Sequence, residues 1–340
     1  MRSIYGLTMN GLKEYLKSKG EKPFKSTQMF EWLYRHNVKS FDEMTNIKKD
    51  FIHVLKEDFS LDLLKIVTHQ ESNDGTHKYL LELEDGNLIE AVLMNHFYGN
   101  SICVTSEVGC NMGCQFCASG MKKKKRNLTT AEMVLQILTV ERDLDIKIGH
   151  VVVMGIGEPL DNYDNVMDFL HVINEPKGLE IGARHISIST CGIVPRIYDY
   201  AKENLQSNLA ISLHAPNDEI RNKIMPINSV YPIKLLVQAI SDYIDATNRR
   251  VTIEYILIDG VNDSENNAHE LSNLLRGLNV YINLIPYNPV NEKEFKRSTK
   301  AHMNMFYDTL KKRGMNVTLR KEQGTDIDAA CGQLRSKHMN

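Results

Sequence analysis

From residue 101 onward the chain alternates a short β-branched run with a longer helical one, six times in series, and few folds accept that pattern. The strand candidates are 101–106, 150–154, 185–189, 208–213, 251–257 and 281–286. Helix candidates follow at 130–143, 161–173, 194–204, 231–247, 264–275 and 299–313, the first opened by a Thr129 to Glu132 capping box. Strand–helix units in series require a parallel sheet, either open or curved into part of a barrel. Strands covered by helices on both sides are apolar on both faces. Here one face is repeatedly small and polar: His185, Ser187 and Ser189; Ala210, Ser212 and His214; Thr252 and Glu254; Asn283; Cys103 and Thr105. That pattern suits a lumen holding a polar ligand. The expected architecture is α/β, a partial (β/α)6 TIM-like barrel.

The remainder divides in two. Residues 1–60 read as a small helical accessory domain, with Ser26 and Ser40 as N-cap candidates. Residues 61–98 read as a β-rich connector, its runs separated by turn signals at Asn73-Asp74-Gly75 and Asp85-Gly86. The core would then occupy 99–340. With 41 basic and 43 acidic residues, the chain is no basic nucleic-acid coat, although a local patch such as Lys122–Arg126 is compatible with the balance. No run approaches 18 apolar residues, and MRSIYGLTMNGLKEYL lacks a signal-peptide core, so a cytoplasmic chain without membrane association is expected. Six cysteines in 340 residues are too few for a disulfide scaffold. Grouped cysteines then point to a metal or to catalysis.

The group is Cys110-Asn-Met-Gly-Cys114-Gln-Phe-Cys117, in the loop after the first strand. Active-site loops of α/β barrels lie there. A structural zinc needs a fourth ligand, which a distant His77 or His96 could supply. An iron–sulfur cluster held by three cysteines leaves one iron open for a chelating ligand. Gly155-Ile-Gly157-Glu158 follows the second strand; its glycines let the backbone approach a ligand, and Glu158 can accept from an ammonium group. Cys103 precedes the group on the polar face, and Cys331 sits in a polar, glycine-flanked segment near the C-terminus.

The Cx3CxxC spacing, with Phe116 before its last cysteine, resembles the radical S-adenosylmethionine (SAM) superfamily. Together with STQMFEWLY, SFDEMTN, AISLHAPNDEIR, MPIN, RVTIEYIL, GVND, INLIPYNP and DIDAACGQL, nearly the whole chain resembles the RlmN/Cfr family of radical SAM adenine methyltransferases, and its RlmN branch in particular. The resemblance implies a 4Fe–4S cluster on Cys110, Cys114 and Cys117. It implies SAM contacts at Gly157, Glu158, Ser189, Ser212, Leu213, His214 and Asn288. It implies Cys331 as a methyl carrier, Cys103 as the thiol that forms a disulfide with it, and Glu90 as the proton acceptor. The implied reaction methylates carbon 2 of adenine in 23S rRNA and in tRNA 3′ of the anticodon, through S-methylcysteine, with two SAM per turnover. A Cfr-type enzyme would methylate carbon 8 instead. Implied partners are rRNA, tRNA and an electron donor such as flavodoxin or ferredoxin. RNA contact is expected from the N-terminal helices, the Lys122–Arg126 run and Lys321, and a monomer is the default state.

Overall fold

The computed structural model describes residues 1–203, 205–290, 293–327 and 334. Ten strands form one sheet whose spatial order follows the chain. They are β1 (Lys65–Glu71), β2 (His77–Glu82), β3 (Leu88–His96), β4 (Gly99–Cys103), β5 (His150–Val153), β6 (Ile186–Thr190), β7 (Asn208–Ser212), β8 (Val251–Leu257), β9 (Val280–Pro286) and β10 (Val317–Leu319). From β4 to β10 every pairing is parallel. From β1 to β4 every pairing is antiparallel. The six expected strand–helix units are present, β10 adds a seventh strand, and the sheet does not close on itself.

The helices fall where apolar periodicity puts them. These are α1 (Met9–Ser18), α2 (Lys25–Phe30), α3 (Lys49–Asp58), α4 (Thr130–Leu144), α5 (Tyr163–Asn174), α6 (Val194–Lys202), α7 (Asp218–Ile224), α8 (Ile233–Thr247), α9 (Glu265–Leu274) and α10 (Lys300–Lys312). Thr129 and Glu132 form the capping box of α4. Ser40 caps a short 3-10 turn with Glu43. Ser26 does not cap: α2 starts one residue earlier, at Lys25, and buries Ser26. The unexpected element is α7, about two turns capped by Asn217, whose Oδ1 accepts from the Ile220 amide at 3.0 Å.

One apolar core runs from Ile4 to Val317, so the N-terminal helices and the parallel sheet share it. Arg142 on α4 joins them, donating to Asn37 Oδ1 at 2.7 Å and to the Val38 carbonyl at 2.9 Å. Tyr79 and Leu81 of β2 belong to this core, on the outer face of the sheet. Lys78 and Leu80, on the other face, are fully buried too. The strands of 61–98 thus extend the main sheet and wall its inner side. After β10, residues 320–326 cross to the opposite side of the sheet. Arg320 donates to Met94 Sδ at 3.8 Å, Gln323 to the Asn95 carbonyl at 3.3 Å, and the Gly324 amide to Asp74 Oδ2 at 2.8 Å. Asp326 accepts from Ser72 Oγ and from the Asn73 amide. This segment spans the gap that the strands leave open.

Candidate active site

The inner face of the sheet carries the polar row that alternation predicts. Ile186 and Ile188 are buried in the core, while Ser189 faces inward and its Oγ lies 3.3 Å from Ser212 Oγ. Cys103, Val152 and Ser187 stand in register across β4, β5 and β6. Ser212, Glu254 and Asn283 do so across β7, β8 and β9, and Asn283 Nδ2 donates to Glu254 Oε2 at 2.8 Å. Burial pushes the Glu254 carboxyl up, against the pull of Asn283 and Arg320.

Above the strand ends lies the cysteine loop. Its base is a pairing of Glu107–Val108 with Arg126–Asn127. Gly109 takes φ +88 with the Lys123 carbonyl where a Cβ would stand, a place only glycine fits. The Cys110 amide donates to the Lys122 carbonyl at 3.1 Å, and the Gln115 amide to that of Ile224 at 2.9 Å. The loop thus rests on α7. Burial pushes the Cys110 thiol up to about 12, with Cys117 adding to it, and pushes Cys114 higher still. Thiols buried in this way ionise together only against a strong positive charge, which an iron–sulfur core supplies. The donor set therefore fits the cluster.

The zinc alternative is not supported. His77 hydrogen-bonds His69 at 2.9 Å, and His96 stacks on Tyr98. Both lie toward the end of the sheet away from the cysteine loop. Among the described residues, Asp259, Asp263 and His302 also bring their ligand atoms within 4.8 Å of one another.

The glycine segment packs under the loop. The Gly155 amide donates to the Val104 carbonyl at 3.0 Å, and Gly157 takes φ +110 against the side chain of Glu107. The buried Glu158 accepts from the Leu160 amide at 3.0 Å and the Cys191 amide at 2.7 Å, and burial raises its pKa. Glu107 accepts from the Glu158 amide at 3.0 Å and pairs with Lys124 at 2.6 Å; burial nevertheless pushes its carboxyl up to about 7. His214, at φ +56, meets the Phe116 ring edge-on at 5.0 Å. Its Nδ1 accepts from the Ile256 amide at 3.0 Å, which leaves the hydrogen on Nε2. Burial, reinforced by Arg221, lowers its pKa to about 3, so the ring is neutral. Leu213 is buried beside it, and Asn288 is exposed just beyond β9.

Glu90 and Cys103 share the inner face. Glu90 is buried and its Oε2 lies 2.7 Å from Lys78 Nζ, a fully buried ammonium. Burial raises the Cys103 thiol, against the pull of Lys78 and Arg320. Cys331 lies outside the described residues. Among the described residues every cysteine is a free thiol.

Sequence reasoning missed Lys78 and Arg221. Arg221, fully buried on α7, donates to the carbonyls of Leu213 at 3.1 Å, Cys191 at 2.7 Å and Ser212 at 3.3 Å, and to Asn228 Oδ1 at 3.0 Å. It ties the ends of β6 and β7 beneath the cysteine loop; its one signal was membership of the AISLHAPNDEIR run. The basic run is largely engaged: Lys124 also pairs with Asp161 at 2.7 Å, and Arg126 with Asp85 and Glu132, each at 2.7 Å. Lys123, Lys125 and Lys321 are exposed.

Residues 105–271 match the Radical SAM superfamily, and residues 3–61 match the ribosomal RNA large subunit methyltransferase N-terminal domain. A relative from Listeria monocytogenes, described as a probable dual-specificity RNA methyltransferase RlmN, is 57% identical over 99% of this chain and 94% of its own length. One from Enterococcus faecalis with the same description is 57% identical over 99% of this chain and 97% of its own. The crystal structure of a radical SAM methyltransferase from Sphaerobacter thermophilus superimposes with a TM-score of 0.92 at 42% identity, covering 98% of this chain and 99% of that one. The chain belongs to the RlmN family of dual-specificity RNA methyltransferases, on a radical SAM fold.

Proposed function

We propose that the protein methylates carbon 2 of adenine in 23S rRNA and in tRNA, with Cys331 as the methyl carrier. The dual specificity of its relatives and the ribosomal RNA domain at its N-terminus support the substrate class. The observation that carries the chemistry is Cys103: a thiol on the inner wall, faced across the gap by the segment that leads to Cys331.

Carbon 2 bears hydrogen and is electrophilic, so it cannot displace a sulfonium methyl as a ring nitrogen does. The Cys331 thiolate performs that displacement instead and becomes S-methylcysteine. When bound, the cluster and SAM supply a one-electron cleavage that yields a 5′-deoxyadenosyl radical. The S-methyl group of Cys331 gives up a hydrogen atom, and its methylene carbon adds to carbon 2. The adduct then gives back one electron, which the cluster, oxidised by that cleavage, would take up, and Glu90 accepts the proton from carbon 2. Cys103 attacks the Cys331 sulfur; the carbon–sulfur bond breaks with its pair on carbon, and a proton completes the methyl group. Gly157, Glu158, Ser189, Ser212, Leu213, Asn288 and the Nε2–H of His214 are assigned to holding SAM at the strand ends. Residues 1–60, Lys123, Lys125 and Lys321 are assigned to RNA.

The test is nucleoside mass spectrometry after anaerobic reconstitution with SAM, a reductant and unmethylated rRNA or tRNA. The expected product is 2-methyladenosine, absent with Cys331→Ala. Formation of 8-methyladenosine would replace carbon 2 by carbon 8. Formation of 5′-deoxyadenosine without methylated base would sink the substrate assignment.

A further inference from the structure

Lys78 is an unusual residue to find in a strand wall. Its side chain is fully buried and contacts Glu90, itself 3% exposed. A buried ammonium persists as a cation only with an anionic partner at hand. Register adds a second ionisable group. Lys78 on β2 stands opposite Val92 on β3, and Val92 stands opposite Cys103 on β4. The three side chains therefore cross the inner face in one line. Glu90, two residues along β3 from Val92, is the diagonal neighbour of both Lys78 and Cys103, about 7–8 Å between backbones. Lys78, Glu90 and Cys103 thus form one corner, and Arg320 enters it from across the gap at Met94.

We propose that Lys78 is a positioning residue whose single ammonium serves two groups: it pairs with the Glu90 carboxylate, and it is the counter-charge for the Cys103 thiolate. When Cys103 is a thiol or is bound in a disulfide, the ammonium keeps its pairing with Glu90. When Cys103 ionises, the two anions compete for it. The groups assigned to proton acceptance and to disulfide formation are thereby coupled through one cation. Among the described residues, the charged groups facing Cys103 are Lys78 on β2, Glu90 on β3 and Arg320 after β10.

The inference rests on the reading of Glu90 and Cys103 given above, but its test does not need turnover. The cluster-loaded full chain is treated with iodoacetamide across pH 6–11, and alkylation of the Cys103 peptide is followed by mass spectrometry. Lys78→Met should move the midpoint for Cys103 upward by at least about one pH unit, a tenfold loss of thiolate below the midpoint. Lys78→Arg should restore most of it. Glu90→Gln, which is isosteric, should move the midpoint the other way by relieving the competition. An unmoved Cys103 midpoint in a Lys78→Met protein with normal iron content and circular dichroism overturns the proposal. If Lys78→Met does not fold, Glu90→Gln decides, and an unmoved or raised midpoint overturns it. Midpoints that move as stated while the wild-type enzyme makes no methyladenosine would sink the functional reading and leave the shared cation standing.

Discussion

Replacing Arg221 by methionine tests what holds the floor of the site. The guanidinium is fully buried and donates to four oxygens: the carbonyls of Cys191, Ser212 and Leu213, and Asn228 Oδ1. All four are neutral, so no carboxylate loses its direct partner in the substitution. Methionine fills much of the volume but supplies no donor. Hydrogen bonds to a charged group contribute roughly 1.5–3 kcal/mol each, and a buried acceptor left unmade costs about 1–3 kcal/mol. Removing the charge from the interior offsets part of that loss. The net expectation is a destabilisation of about 3–5 kcal/mol, out of a total of roughly 5–15 kcal/mol. Lysine at the same position can reach some of the oxygens but not in the guanidinium fork, and should cost about half as much. Urea denaturation followed by circular dichroism reads both values. The cysteine loop rests on α7 through the Gln115 amide and the Ile224 carbonyl, so iron content after reconstitution should fall with stability. A loss under about 1 kcal/mol in Arg221→Met, with iron content unchanged, would refute the claim that these four bonds hold the strand ends.

Three more outcomes follow from local geometry. His214 has a folded pKa of about 3, below its unfolded value, so between about pH 6.5 and 3 the unfolded chain binds the proton that the folded one refuses. Stability should therefore fall by up to ~1.4 kcal/mol per pH unit as pH drops through that window. His214→Gln should flatten that slope in urea melts at several pH values. Gly157→Ala places a methyl 2.6 Å from the Glu107 side chain at φ +110. It should lower stability by about 1–3 kcal/mol and weaken SAM binding by calorimetry, and an unchanged Tm would contradict the packing. Replacing the exposed Lys123 and Lys125 together by alanine should reduce the slope of log affinity for RNA against log salt by about 1.5–2, and an unchanged slope removes both from the RNA interface.

The strand–helix units and the inward polar row were legible because both are local. Alternation over five residues separates Ile186 and Ile188 from Ser187 and Ser189, and the structure keeps that separation. The cysteine loop was legible for the same reason, since its three donors lie within eight residues. What was not legible depends on strand pairing and on contacts between distant segments. Lys78 looks like the solvent-facing residue of an alternating edge strand. It is buried because β2 has covered surface on both sides: Tyr79 points outward and donates to Asp143 on α4 at 2.7 Å, while Lys78 points inward to Glu90. The Asn73-Asp74-Gly75 signal correctly predicts a turn, with Gly75 at φ +78, yet its carboxylate also takes the Gly324 amide from 250 residues away. A turn motif specifies its own backbone and says nothing of what docks on it. Arg221 is the sharpest case, since a charged residue in a DEIR run on a short helix reads as surface. It is drawn inside because parallel strands ending at different heights leave carbonyls of β7 and of the turn after β6 with no further strand residue to pair with, and one planar donor satisfies them together. The chemistry-bearing motif was written on a single loop, while the wall opposite it and the floor beneath it were assembled from pairings that a linear reading does not display.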